Sequence, residues 1–260
     1  MIAGGLEGNE RILWEARESG FPTGDFVGQE SFVTASEVLE LAAGAGVVAG
    51  SSVLDLCCGI AGPGLLVARE SGCDYLGVDE NPRSIEVARA RAAELGDAVG
   101  GAVEFLVAAV PPLPPGSFDV VLLIETLLAF PDKGALLGAI ARALPVGGRL
   151  ALTVEAGDPL TEGERGAMPG GGTVWLQPLP DLERDLSEAG LEVTWREETT
   201  PAHLAVVDRL AVAYERNVGE LAEAVGDAEA EDLVVSHRLW GDWLRSGRVR
   251  KHGVVAERVR

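Results

Sequence analysis

The chain has few of the residues on which redox, metal and nucleic-acid chemistry usually rest. It contains three cysteines, Cys57, Cys58 and Cys73, an odd and small number that excludes a disulfide framework. The first two are adjacent rather than at Cys-x-x-Cys spacing, and His203, His237 and His252 stand far apart, so no metal site is expected. Long apolar runs are also missing. The stretch VVLLI at 120–124 is far short of the roughly 18 residues a membrane span needs. The opening segment carries charges early and has no apolar leader core, so the reading is a cytoplasmic protein without a membrane partner. Basic residues are outnumbered 21 to 41, and the net charge of −20 repels phosphate backbones, which excludes nucleic acid as a partner. Arg245, Arg248, Arg250, Lys251, Arg258 and Arg260 form one local exception, read as a charged edge strand and tail.

Hydrophobic residues make up 47% of the 260, enough for a large globular core, and the chain reads as a single domain over 1–260. Before residue 51 the pattern is helical, as in SEVLELAAGAGV. Short apolar runs then alternate with helical segments. Strands are predicted at 52–56, 74–79, 103–110, 118–125, 149–156, 191–199 and 248–258. Helices are predicted after Pro63, from an Asn81 cap with Pro82 to Gly96, at 132–144, near 180–189, and at about 203–225 and 229–244. The glycine-rich segment 163–173 reads as a loop. This alternation specifies an α/β, doubly wound sheet with right-handed crossovers. Ligands in such sheets bind beyond the carboxyl ends of the strands, which directs attention to 55–64, 79–81, 108–110 and 125–130.

At the first of these, LDLCCGIAGPG leaves the opening strand through Gly59, Gly62 and Gly64. Glycine there allows positive φ and a close approach of ligand to backbone. The second strand delivers Asp79, whose carboxylate can accept from both hydroxyls of a ribose. The plainer role for Asp79 is to cap the helix that follows. A nicotinamide-dependent dehydrogenase shares the glycine loop and the acid, but Tyr75 and Tyr214 have no lysine four residues on; the lysines are Lys133 and Lys251.

Four segments in order, VLDLCCGIAGPG, YLGVDENPRSIEVARARAAELG, PPGSFDVVLLIETLLAFPD and ARALPVGGRLALT, resemble the successive motifs of class I S-adenosylmethionine-dependent methyltransferases, the small-molecule branch in particular. The resemblance covers about residues 28 to 200. It implies a Rossmann-like, seven-stranded sheet whose last strand is antiparallel, with helical lid elements at both ends. Residues 1–50 would form a helical cap, 51–156 the cofactor-binding half and 157–260 the substrate side, with a helical insertion at about 201–245. The implied cofactor is S-adenosylmethionine, with S-adenosylhomocysteine as product and a small-molecule acceptor as partner. Carried over to this chain, Asp55 orients the glycine loop, and Cys57, Gly59 and Gly62 pass beneath the cofactor. Asp79 holds the ribose, Glu80 and Asn81 flank the adenine, and Glu125 and Thr126 lie near the methionine end.

Three departures from the family pattern stand out. Ala109 replaces the usual aspartate after strand three, leaving the backbone of Ala108, Ala109 and Val110 to meet the adenine. Ala129 stands where relatives often have histidine. Cys57 occupies the place of the first glycine, and its Cβ should restrict a turn that glycine leaves free. In-line alignment can supply much of the rate of methyl transfer, and a base can assist a hydroxyl acceptor. His203 is the catalytic candidate, while His237 reads as structural. Phe26, Gln29, Phe130, Trp175 and Tyr214 are the expected substrate-pocket residues, and Trp240 and Trp243 are expected in the core. The alternative is a fold that binds the cofactor but is repurposed, for a cyclisation or a structural role.

Overall fold

Period-two burial sets the layers at the centre of the molecule. In β1 (Ser52–Leu56), Val53 faces one hydrophobic core and Leu54 and Leu56 the other. The alternation repeats in β4 (Val120–Leu123), where Val120 and Leu122 oppose Val121 and Leu123, and in β5 (Arg149–Ala156), where Ala151 opposes Leu150, Leu152 and Val154. Strands apolar on both faces must be covered by helices on both sides. One side is covered by α5 (Lys133–Ala143) and α7 (Leu179–Glu188), through Leu136, Leu137, Ile140, Leu182 and Leu186. On the other lie α2 (Ala35–Gly44) and α3 (Gly62–Ser71), through Val38, Leu41, Leu65 and Val67.

This computed structural model describes residues 9–260; residues 1–8 of the expected N-terminal cap lie outside the described residues. The sheet is completed by β2 (Asp74–Asp79), β3 (Val103–Val107), β6 (Leu191–Glu198) and β7 (Arg250–Arg258), in the order β3-β2-β1-β4-β5-β7-β6. The first five strands run parallel, and β7 lies antiparallel between β5 and β6, as the resemblance implied. Chain order reverses between β1 and β4, so the switch-point crevice opens above their carboxyl ends. Asn81 caps α4 (Pro82–Leu95), its Oδ1 accepting from Arg83 N.

Several predicted elements are shorter than expected, each for a local reason. The third strand stops at Val107 rather than 110, where its partner β2 ends at Asp79. Strand four stops at Leu123 because Glu125 turns out of the sheet at φ +54. The helix expected over 203–225 is two, α8 (Thr200–Arg216) and α9 (Val218–Val225); Asn217 breaks it, its side-chain amide donating back to Ala213 O. Gly226, at φ +96, then starts α10 (Asp227–Ser246). Within the glycine-rich segment a capping box between Thr161 and Glu164 starts the short helix α6 (Glu162–Ala167). The amino-terminal α1 (Asn9–Glu18) packs with α8 and α9 over one end of the crevice. Among the described residues no helix is long and apolar enough to cross a membrane.

The segment before α2 presses onto the start of α3. A Cβ on Gly62 would fall 2.5 Å from Val27 O and 2.7 Å from Gly28 O. Gly62→Ala therefore has to displace that backbone. A loss of about 1–3 kcal/mol is expected, measured by denaturant titration.

Candidate active site

A cavity of about 320 Å³ lies at the switch point, between the glycine turn, the ends of β4 and β5, and the strap 28–32 that crosses above them. Its apolar wall includes Phe32, Ile60, Leu128, Val174 and Trp240. Trp240 thus has two roles: it packs edge-on to Trp243 at 5.3 Å, as expected of core, and also lines the cavity.

The glycine turn is shaped by three left-handed residues, Cys57 at φ +56, Gly59 at φ +54 and Ala61 at φ +58. Cys57 therefore takes a left-handed conformation of the kind that favours glycine, despite its Cβ, a strain of about 1–2 kcal/mol. The turn is tied down from β2. Cys58 N donates to Val78 O at 3.0 Å, and Gly59 N donates to Asp79 Oδ2 at 2.9 Å. Asp79 Oδ1 accepts from Asn81 N, so this half-buried carboxylate joins the two loops and keeps lone pairs free beyond the strand end. It lies outside the cavity wall, as do exposed Glu80, Asn81 and Ala109 and half-buried Ala108 and Val110.

Burial pushes the Cys57 thiol up to about 12, and the carboxylates of Asp79 and Asp55 add to the effect; Cys58 is pushed higher still by the same causes. Thiols held protonated in this way are poor nucleophiles and poor metal ligands. Asp55, 3% exposed, accepts from the Tyr75 hydroxyl at 2.7 Å. Burial raises its carboxyl to about 7, against the lowering effect of that hydrogen bond and with help from the charge of Asp79.

The cavity floor is ionic. Glu125 leaves β4 in the left-handed region; its N donates to Thr153 Oγ1 at 2.8 Å, and its Oε2 accepts from Phe32 N in the strap at 2.6 Å. Glu155 on β5 also lines the cavity. From β7 the Lys251 ammonium reaches both carboxylates, 2.7 Å from Glu125 Oε1 and 2.6 Å from Glu155 Oε1. Burial opposes the charge on Lys251, but Glu125 and Glu155 outweigh it and raise its pKa above 10.5. Glu125, Glu155 and His203 form a donor set of the kind that binds metal. Here the chain's own ammonium takes the cation's place.

His203, the candidate base, does not reach the cavity wall. His203 is 1% exposed and absent from the cavity wall, behind Glu125 and Glu155, with Nδ1 3.5 Å from Glu125 Oε1. Burial, then the Lys251 ammonium, lowers its pKa to about 3 against the pull of Glu155. His237, read from the sequence as structural, has its Nδ1 donating to Leu233 O at 2.7 Å, and its pKa falls to about 4 through burial and the charge of Arg17.

Of the expected substrate-pocket residues, one lines the cavity. Gln29 does, but its amide is spent on Val27 N, Asp25 O and Val33 O, so it shapes the strap. Tyr214 is wholly buried and bonded to Arg17, and Phe26 packs on Phe21 and Trp14 away from the cavity. Trp175 is 40% exposed, its ring under the Arg165 guanidinium at 4.7 Å, and Phe130 packs against the β4–α5 core. The expectation for these four rests on their place in the chain, and helix rotation or loop path turns each ring elsewhere.

Three residues outside the expected site are central, and for Lys251 the expectation of a charged edge strand is corrected, because β7 lies inside the sheet between β5 and β6. Arg17, 8% exposed, donates to the carbonyls of Gln29, Glu30 and Ser31 and to the Tyr214 hydroxyl, fastening the strap to α1 and α8. Glu155 did leave a signal, as a charge inside the largely apolar stretch 150–156 of β5, whereas Lys251 stands beside Arg250 and His252 in a β7 that also carries Glu257 and Arg258 and gives no such signal.

Comparison with known proteins agrees with this geometry. A family model described as a methyltransferase domain matches residues 36–168. The 27-O-demethylrifamycin SV methyltransferase of Amycolatopsis mediterranei is 34% identical over 155 residues, 55% of each protein. The chain spans about half the length, or less, of the curated relatives it matches first. Among solved structures, Haemonchus contortus phosphoethanolamine N-methyltransferase 2 superposes with a TM-score of 0.76 at 23% identity, covering 97% of this chain and 58% of that one. The [4+2]-cyclase SpnF superposes with a TM-score of 0.75 at 18% identity, covering 95% and 91%. Glycine turn, strand-end acid, sheet order and family match converge: the chain belongs to the methyltransferase-domain family of class I, S-adenosylmethionine-dependent enzymes.

Proposed function

We propose that the protein transfers a methyl group from S-adenosylmethionine to a small, uncharged acceptor with an apolar body. The observation that carries this reading is the union of an open, left-handed glycine turn with Asp79 and Asp55 on adjacent strands. At Gly59 a side chain would meet nothing closer than Glu30 Oε2 at 3.9 Å, so the backbone is bare to a ligand. Two buried hydroxyls in the cavity wall, Ser31 Oγ and Thr126 Oγ1, have no hydrogen-bond partner among the described residues, as expected of groups that a polar ligand completes. Both observations fit the nucleoside.

In this reading Asp79 accepts from the ribose hydroxyls. Glu80, Asn81 and the backbone of Ala108, Ala109 and Val110 flank the adenine. Asp55, Cys57, Gly59, Gly62, Glu125 and Thr126 surround the methionine end. The bound sulfonium supplies the activated methyl. The chain's contribution is alignment and exclusion of water by the strap, with no step asked of His203. Among the described residues no lysine or arginine lines the cavity, so a phosphate or carboxylate acceptor finds no cation there. Phe32, Leu128, Val174 and Trp240 suit an apolar body instead.

Titration calorimetry with S-adenosylmethionine and S-adenosylhomocysteine tests the reading. Asp79→Ala should weaken binding by about 1–3 kcal/mol, the cost of leaving ribose hydroxyls without their acceptor. Failure of the unaltered protein to bind either nucleoside would overturn the proposal. Binding without methylation of any acceptor in a broad panel would instead favour the repurposed fold, which the superposition on a cyclase makes physically reasonable.

A further inference from the structure

Four carboxyl side chains, Glu30, Asp55, Glu125 and Glu155, line the cavity, with no basic side chain among its described lining residues. Below the floor a single ammonium, Lys251, stands against two of them, and both of its short contacts go to Oε1 atoms. Glu155 is 4% exposed and its Oε2 is buried without a partner. Among the described residues the other basic groups near the cavity are engaged elsewhere, Arg91 on the carbonyls of Val27, Gly28 and Ile60. His203 is held neutral, its Nε2 3.8 Å from Glu155 Oε1. Arg17 turns its guanidinium to the carbonyls of the strap and to Tyr214. A buried, half-satisfied carboxylate is costly, and a cation arriving from the cavity would relieve it.

Resting on the methyltransferase reading, we propose that the Glu125–Lys251–Glu155 cluster is a charge-selective floor that favours the cationic methyl donor over its uncharged thioether product. The two nucleosides differ by one methyl group and one positive charge at sulfur, and share every other contact. An excess negative charge in a low-dielectric floor acts on that difference alone. Loss of the sulfonium charge on transfer then removes the attraction and promotes product release. Lys251 sets the size of the bias by cancelling one of the two carboxylates and fixing both in place.

Calorimetry with S-adenosylmethionine, S-adenosylhomocysteine and sinefungin tests this at fixed pH and ionic strength. Sinefungin carries its extra positive charge on an amine attached to carbon in place of the sulfonium. The unaltered protein should bind the two cationic nucleosides more tightly than the thioether. In Glu155→Gln the affinity ratio of S-adenosylmethionine to S-adenosylhomocysteine should fall about tenfold, whereas Glu155→Asp should keep it. An unchanged ratio in the glutamine variant, or sinefungin siding with the thioether in the unaltered protein, would overturn the inference. If the glutamine variant does not fold, the sinefungin comparison decides alone. Binding of none of the three is a separate outcome, which overturns the methyltransferase reading and this inference with it.

Discussion

Lys251→Met should lower the free energy of unfolding by about 3–5 kcal/mol near neutral pH. The methionine fills most of the lysine's volume, so the loss reports charge rather than a cavity. In the native protein Lys251 is 1% exposed and bonded to Glu125 and Glu155, themselves buried. Removing the ammonium leaves two carboxylates facing each other in a low dielectric, without a counter-ion. Because its folded pKa is raised above 10.5, the stabilisation by Lys251 is fully present below that pH and is lost as pH rises through the folded value. The variant should therefore show its whole deficit at pH 7, and the gap to the unaltered protein should close only in strong alkali. Adding Glu125→Gln and Glu155→Gln should recover much of the stability, since the three residues act as one unit and their effects do not add. Urea titrations of the single and triple variants check both statements. A deficit under about 1 kcal/mol would mean that water, rather than protein, surrounds the ammonium.

How much of this was legible in the sequence follows from what each signal encodes. The sheet was legible because strands apolar on both faces, separated by helical spacing, permit few arrangements. Asp79 and the glycine turn were legible because their roles are local: each lies at a strand end, within reach of its own neighbours. The acceptor side was not. Tyr214, Phe26 and Trp175 were assigned from their place in chain order, but their direction depends on helix rotation and on partners far away in sequence, such as Arg17 for Tyr214. His203 illustrates the same limit. Its position just after strand six did bring it close to the site, yet it meets Glu125 and Glu155, which line the cavity, and does not line the cavity itself. Cys57 misled in the opposite sense, because the surrounding turn imposes a left-handed conformation that its Cβ alone would disfavour.

Asp55→Asn should stabilise the protein above neutrality and remove a pH dependence that the unaltered chain shows between about pH 4 and pH 7. Burial is the main cause, raising the Asp55 carboxyl from 3.8 to about 7, against the Tyr75 hydrogen bond that favours the anion. A folded pKa raised above the unfolded value means that stability is fully present below 3.8 and declines as pH rises through about 7. At about 1.36 kcal/mol per pH unit the decline is on the order of 4 kcal/mol. Asparagine keeps the acceptor oxygen for Tyr75 and carries no charge to bury, so its unfolding free energy should stay nearly level over that range. Denaturant titrations at about pH 4, 6 and 8 measure the two curves, and parallel curves would show that the carboxylate is solvated in the folded chain. The same desolvation that weakens the fold poises Asp55 to respond to a cation beside it. A positively charged nucleoside in the cavity should pull the carboxyl back toward its ordinary range, so binding near pH 7 releases a proton. If the proposed cofactor site is right, the apparent binding enthalpy should then vary with the ionisation heat of the buffer in the unaltered protein and not in Asp55→Asn.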